Sequence, residues 1–365
     1  MAAAVDSPAD VAGSSAVDWP LAQWVACRVA GREPFADSYH ADSLAPDFER
    51  LTALAEDLVA DCTGLRSASG RARGRVTDRR GWVGANVASF QRLLRPVLDR
   101  FSAAATGPLG PLARRVTATE LGVVLGWMST RVLGQYDLLV IEDDNPEDQD
   151  IVYYVGPNIL SLERRYAFPP EEFRLWLALH EVTHRAQFTG VPWLRQHFLE
   201  LVEQTLSSVG PDPAGLAEAV NRAAGALRQG RNPLADGGVM SLVASDEQRE
   251  VIDRMSGLMS LLEGHGDITM DRAGTNLIPS AARFGRVLRQ RRQQTRGVAR
   301  LLQQLIGLEA KMAQYAQGER FITTVERTDP AIIDRVWSDP GLLPSLAEIR
   351  EPDLWLARVH ATADG

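Results

Sequence analysis

The stretch from Phe173 to Phe188 constrains the fold more than any other part of this chain. Phe173, Leu175, Trp176, Leu177 and Leu179 make it an apolar helical segment, yet His180, Glu181 and His184 stand in its midst. Such a helix packs into a core, and two imidazoles and a carboxylate taken there bear a desolvation cost unless a partner offsets it. Pro169, Pro170, Glu171 and Glu172 suit its start, because proline is preset for the first turn and carboxylates complement the N-terminal dipole. Gly190 is a plausible stop, and Pro192 opens the next helix, Trp193 to Leu206.

Positions i and i+4 of a helix share a face, so His180 and His184 can reach one metal ion. With Glu181 between them the pentad reads H-E-x-x-H, the spacing of a zinc site in which the glutamate takes a proton from water. A catalytic zinc needs a third protein ligand and an open position. The six histidines are His40, His180, His184, His197, His265 and His360. The elongated three-histidine pattern is not met, since Gln187 stands where it wants glycine and Gly190 where it wants histidine. His197 lies beyond the helix break. Downstream, Glu263 and Asp267 stand at i and i+4 in the segment from Leu261 to Asp271, as in the glutamate zincins, or gluzincins. Glu263 would be the third ligand, and Asp267 would accept a hydrogen bond from the far nitrogen of a ligand histidine and fix its tautomer. His265 is the rival ligand, or else lines the cleft. Gly264 and Gly266 cost a helix about 1 kcal/mol each relative to alanine, which makes sense if this helix approaches the motif helix closely. An oxyanion donor is also required. The candidates are His265, Tyr315, Tyr153, Tyr154 and Arg185, and each tyrosine competes with a plain core role.

The rest of the chain reads as mainly α with a small β-sheet. Residues 1–16 form a leader rich in alanine, serine and aspartate, expected to be disordered. Residues 17–110 form an N-terminal helical region, with helices from Trp19, from Phe48 to Cys62 and from Val83 to Ala105, and a Gly, Ser and Arg-rich loop from Thr63 to Arg79. Residues 111–328 form the catalytic region. It opens on a helix from Thr117 to Leu133, capped by Thr117 or Thr119. Two short β-rich runs follow, Tyr136 to Ile141 and Ile151 to Val155, read as a hairpin across the acidic turn Glu142 to Asp150. Pro157 to Leu160 extends the second strand, which could pair with an extended peptide. Helices follow at Pro213 to Gln229, from a capping box at Ser245 to Gln248, at Ser280 to Leu305 and at Glu309 to Arg320, with a loop at Asn232 to Gly238. Residues 329–365 form a helical tail, with short helices at Ile332 to Trp337 and Leu346 to Ile349.

Composition excludes other classes. The net charge of −8 argues against nucleic acid as the main partner. Two cysteines in 365 residues are no disulfide framework. No run of 18 uncharged apolar residues occurs, and the N-terminus lacks a basic and apolar leader. The expectation is a cytoplasmic protein without a membrane span, its partner a peptide or small-molecule amide substrate, its oligomeric state open.

A wider set of residues carries a family resemblance. It comprises Val17 to Trp19, Thr63 to Leu65, Asp78 to Trp82 with Asn86, His180 to Phe188, Leu262 to His265, Met270 with Asp271, and Lys311 to Phe321. In these the chain resembles the actinobacterial zincin-like, zinc-dependent metalloproteases, a family that carries a genomic association with coenzyme F420 biosynthesis. The resemblance covers most of the chain after the leader. It implies a zincin fold with a large helical complement.

Overall fold

The computed structural model describes residues 16–35, 38–102, 110–138, 150–207, 246–293 and 308–363. The expected leader, apart from Ala16, lies outside them, as do the expected helix at 213–229, the loop at 232–238 and the acidic turn up to residue 149. The chain is mainly helical with a small three-stranded sheet. The N-terminal part holds α1 (Trp19–Ala30), α2 (Tyr39–Asp42), α3 (Leu44–Thr63), β1 (Arg73–Thr77), α4 (Arg79–Ser102) and α5 (Gly110–Ser129). Then come β2 (Gly134–Tyr136), β3 (Ile151–Val155), α6 (Gly156–Tyr166), α7 (Pro170–Gly190) and α8 (Leu194–Ser207). After residue 246 the elements are α9 (Asp246–Gly274), α10 (Ala281–Gln293) and α11 (Leu308–Thr328). A 3-10 turn (Ile332–Trp337), a second one (Pro340–Leu342), α12 (Leu346–Arg350) and α13 (Pro352–Ala363) complete the described chain.

The sheet departs from the sequence reading in three ways. Its order is β1-β3-β2, with β1 parallel and β2 antiparallel to β3. The pairing of the two expected β-runs holds, but the first strand begins earlier, at Gly134, and ends at Tyr136. β1 lies in the segment expected to be a loop; its residues, Arg-Gly-Arg-Val-Thr, of which Arg73 and Arg75 are exposed, carry little apolar alternation. Pro157 to Leu160 starts a helix rather than extending β3, as proline in the first turn of α6 allows. β3 is therefore the central strand, its backbone groups engaged by β1 and β2 on its two sides and not open to an extended peptide. The helix expected from Thr117 also begins earlier, at Gly110, so neither threonine caps it.

Each face of the sheet has its own core. Val152, Tyr154 and Tyr136 face α3, α6 and α7 with Phe48, Leu51, Phe173 and Leu179. Val155 faces the other way, into a cluster of Trp19, Trp82, Val83 and Leu125 from α1, α4 and α5. On the far side of α7, α9 joins three clusters. Met270 packs with the α7 core, Leu258 and Leu262 with Val191, Leu194 and Leu201, and Leu261 and Ile268 with Phe321 and Trp355 of the C-terminal elements. At Ser345 the side chain and Glu348 form a full capping box that starts α12. Among the described residues no helix is long and apolar enough to cross a membrane.

Candidate metal centre

α7 is buried along most of its length, and two arginines anchor it. Arg174 makes paired bonds to Glu163, at 2.8 and 3.0 Å, and also meets Asp47. Arg185 is fully buried, with Nη1 on Glu56 at 2.8 Å, Nη2 on Asp150 at 2.6 Å and Nη2 on the Gly70 carbonyl at 2.8 Å. These charge-assisted bonds anchor the helix to the elements around it.

His180 Nε2 and His184 Nε2 lie 3.3 Å apart. A carboxylate oxygen of Glu263, from α9, lies 3.9 Å from the first and 3.6 Å from the second. The three donor atoms are the one group among the described residues that fits around a single ion. Donors of a tetrahedral zinc, with bonds of roughly 2.0–2.1 Å, stand about 3.3 Å apart. The spacing between the histidines matches that, the two spacings to Glu263, 3.6 and 3.9 Å, are longer, and two imidazoles with one carboxylate form a donor set that suits zinc. Asp267, one turn on, brings a carboxylate oxygen to 3.9 Å from His180 Nδ1, the ring nitrogen turned away from the cluster.

Glu181 is buried, 8% exposed, on the sheet side of the histidines. Its Oε2 accepts from the Tyr136 backbone N–H at 3.1 Å. The bonds Asp137 N to Ile151 O and Val155 N to Leu133 O bracket β2 on its β3 side, so the Tyr136 N–H points outward from the sheet, to Glu181. Gly134 lies against the same carboxylate, where a Cβ would come within 2.6 Å of Glu181 Oε1. Burial, chiefly, raises the Glu181 carboxyl to about 7; Glu263 adds to the rise, while His184 and the Tyr136 N–H oppose it. For His184, burial works against a charged ring, but the Glu263 carboxylate outweighs it and holds the group at about 9. These are the tendencies of the protein's own groups, and a cation among them would lower both.

The other residues singled out in the sequence lie elsewhere. Arg185 has its guanidinium committed to the buried bonds above rather than to the cluster. Tyr154 is fully buried, stacked on Phe48 at 3.8 Å with its hydroxyl 2.9 Å from Thr52 Oγ1. Tyr153 points to the opposite face of the sheet, under the Arg75 guanidinium. The Tyr315 side chain lies outside the described residues. His265 is near the cluster, but its Nδ1 is 2.9 Å from Gln187 Nε2 and its ring packs on Trp337 at 5.0 Å. Burial, then His184 and Arg272, push it down to about 3. The glycines divide: Gly266 faces the His180 and His184 rings, whereas Gly264 meets Gly318 of α11, so that close approach is to α11 and not to the motif helix.

Several supporting residues were not singled out as functional. Gln187 Oε1 is 3.0 Å from His184 Nδ1, and its Nε2 donates to the Leu262 carbonyl at 3.0 Å. Trp82 Nε1 donates to Gln135 Oε1 at 2.8 Å, and Gln135 Nε2 to Asn86 Oδ1 at 3.2 Å, which pins the middle of β2. Asn158, held by Arg79 Nε at 2.8 Å, donates to the Ser129 and Val132 carbonyls at the entry to β2. Arg79, Trp82 and Asn86 belong to the segment that carried the family resemblance, which was the available signal.

The profile of the family described as zincin-like metallopeptidase matches residues 17–356. Among solved structures, a protein from Chloroflexus aurantiacus described as a candidate hydrolase with a novel fold is similar, at 32% identity and a TM-score of 0.69. The match covers 94% of this chain and 99% of that one. No curated protein matches the chain.

Proposed function

The chain belongs to the zincin-like metallopeptidase family, and on that premise we propose that it is a zinc-dependent peptidase with His180, His184 and Glu263 as ligands and Glu181 as general base. The observation that carries the reading is the convergence of three donors from α7 and α9 at zinc-like spacing. When bound, zinc supplies Lewis acidity, polarising the substrate carbonyl and acidifying water at the site. Glu181 takes the proton of the attacking water and returns it to the leaving amine. Asp267 has its carboxylate on the side of the far ring nitrogen of His180, at 3.9 Å and so beyond a direct hydrogen bond, where it would favour the tautomer that leaves Nε2 to the ligand cluster. Tyr136 N–H and Gly134 confine the Glu181 carboxylate beside the histidines.

Two measurements test this. Zinc content by elemental analysis is expected near one per chain in wild type and strongly reduced in Glu263→Ala; an undiminished content would remove Glu263 from the ligand set. A diverse peptide library is expected to be cut by zinc-loaded wild type, with Glu181→Gln slower by about 10²–10⁴-fold. Stoichiometric zinc without cleavage of any peptide would favour the alternative of a metal-binding scaffold or a narrow small-molecule hydrolase.

A further inference from the structure

Gln187 is fully buried, and the donors and acceptors around it leave one orientation for its amide. The Leu262 carbonyl can only accept, so the nitrogen of Gln187 faces it, at 3.0 Å. The oxygen then lies 3.0 Å from His184 Nδ1, and an amide oxygen can only accept, so Nδ1 carries a proton. His184 is thereby left to present Nε2, the nitrogen that faces His180 and Glu263. The second amide proton of Gln187 meets His265 Nδ1 at 2.9 Å, which makes that nitrogen an acceptor and occupies it. Every polar atom of the Gln187 side chain thus has a partner. One partner is a metal-facing histidine of α7; the other two belong to the turn of α9 that contains Glu263.

We propose that Gln187 is the positioning residue of the metal centre. It sets the ring nitrogen that His184 offers and clamps α7 to α9 beside Glu263, while His265 is a buried acceptor of the clamp and no ligand through Nδ1. The inference rests on the metal-binding reading of the site. It adds a cross-helix restraint, so that ligands on separate helices are registered before an ion arrives.

Gln187→Leu keeps the approximate volume and removes all three bonds. Competition with a chromophoric chelator should show zinc affinity about 10–100-fold lower than wild type. In cadmium-loaded wild type labelled with ¹⁵N-histidine, His184 should coordinate through Nε2, with a slowly exchanging Nδ1–H that exchanges fast in the variant. Coordination through Nδ1, or equal affinity and equal exchange in the two proteins, would overturn the proposal. A third measurement needs neither a variant nor an ion: the side-chain amide protons of Gln187 in metal-free wild type. Their protection from exchange supports the clamp, and free exchange overturns it. Should wild type take up no zinc, the proposed function fails, while these amide protons still decide the clamp.

Discussion

The two helices that carry the proposed metal ligands are held by different means. α7 carries both histidines and the proposed general base within little more than one turn, so helix geometry alone sets their mutual spacing. Its surroundings fix it by charge, through Arg174 on Glu163 and Arg185 on Glu56 and Asp150. α9 brings one proposed donor, Glu263, and is seated chiefly by close backbone contact, with one half-exposed ion pair, Arg272 on Glu326 of α11, beside it. A Cβ on Gly264 would come within 2.3 Å of the Gly318 carbonyl carbon, one on Gly318 within 1.8 Å of the Ser260 oxygen, and one on Gly257 within 2.4 Å of the Pro344 oxygen. The contrast teaches where stability and metal affinity separate. Damage around α7 loosens the fold but leaves the pair of histidines intact. Damage to the seat of α9 moves Glu263 relative to that pair.

The largest effect on stability is expected from Arg185→Met. It leaves Glu56 and Asp150 facing an apolar side chain, and loss of one partner from a buried ion pair costs about 3–5 kcal/mol. Urea unfolding should show that loss, while zinc affinity of the folded fraction stays near wild type. Gly318→Ala comes second. The added methyl meets backbone that cannot rotate away, so the helices must part, at about 1–3 kcal/mol. Here zinc affinity should fall by more than in Arg185→Met despite the smaller loss of stability. If affinity follows stability in both variants, the two helices are not seated independently and the comparison breaks.

How much of this was legible in the sequence follows the same divide. α7 could be read with its start, stop and polar triad, because each signal is local: prolines and glutamates at one end, glycine at the other, and period 3.6 between. The gathering of Glu263 with the histidines rested on a spacing also seen in gluzincins, and no local rule places α9 beside α7. The glycines of α9 were read as a close-approach seam, but a sequence does not say which neighbour a seam meets, and Gly264 meets α11. β1 escaped notice because Arg73, Gly74 and Arg75 give no apolar alternation, although the strand completes the sheet that makes β2 its edge. Gln187 was visible as a mismatch to another motif and as part of the His180 to Phe188 segment that carries the resemblance, neither of which gives it a role. Its role depends on what lies across from it, the Leu262 carbonyl and the His265 ring.

The smallest effect on stability is expected where the sheet meets α7. Gly134 is not among the described residues with positive φ, so its backbone accepts alanine. The obstacle to a methyl is the Glu181 side chain, with Oε1 at 2.6 Å and Cγ at 2.7 Å. A side chain can turn aside, and an off-rotamer carboxylate costs about 0.5–1.5 kcal/mol. Gly134→Ala should therefore unfold close to wild type and bind zinc as wild type does, since the three atoms nearest the new methyl all belong to Glu181. Peptide cleavage should still fall by roughly 10²-fold, the penalty for displacing a catalytic group by about 1 Å. This sharpens the comparison, because α7 then has two separable duties: holding the metal with His180 and His184, and aiming Glu181 against β2. A variant that loses zinc together with activity would show instead that β2 supports the whole turn of α7 and not the base alone.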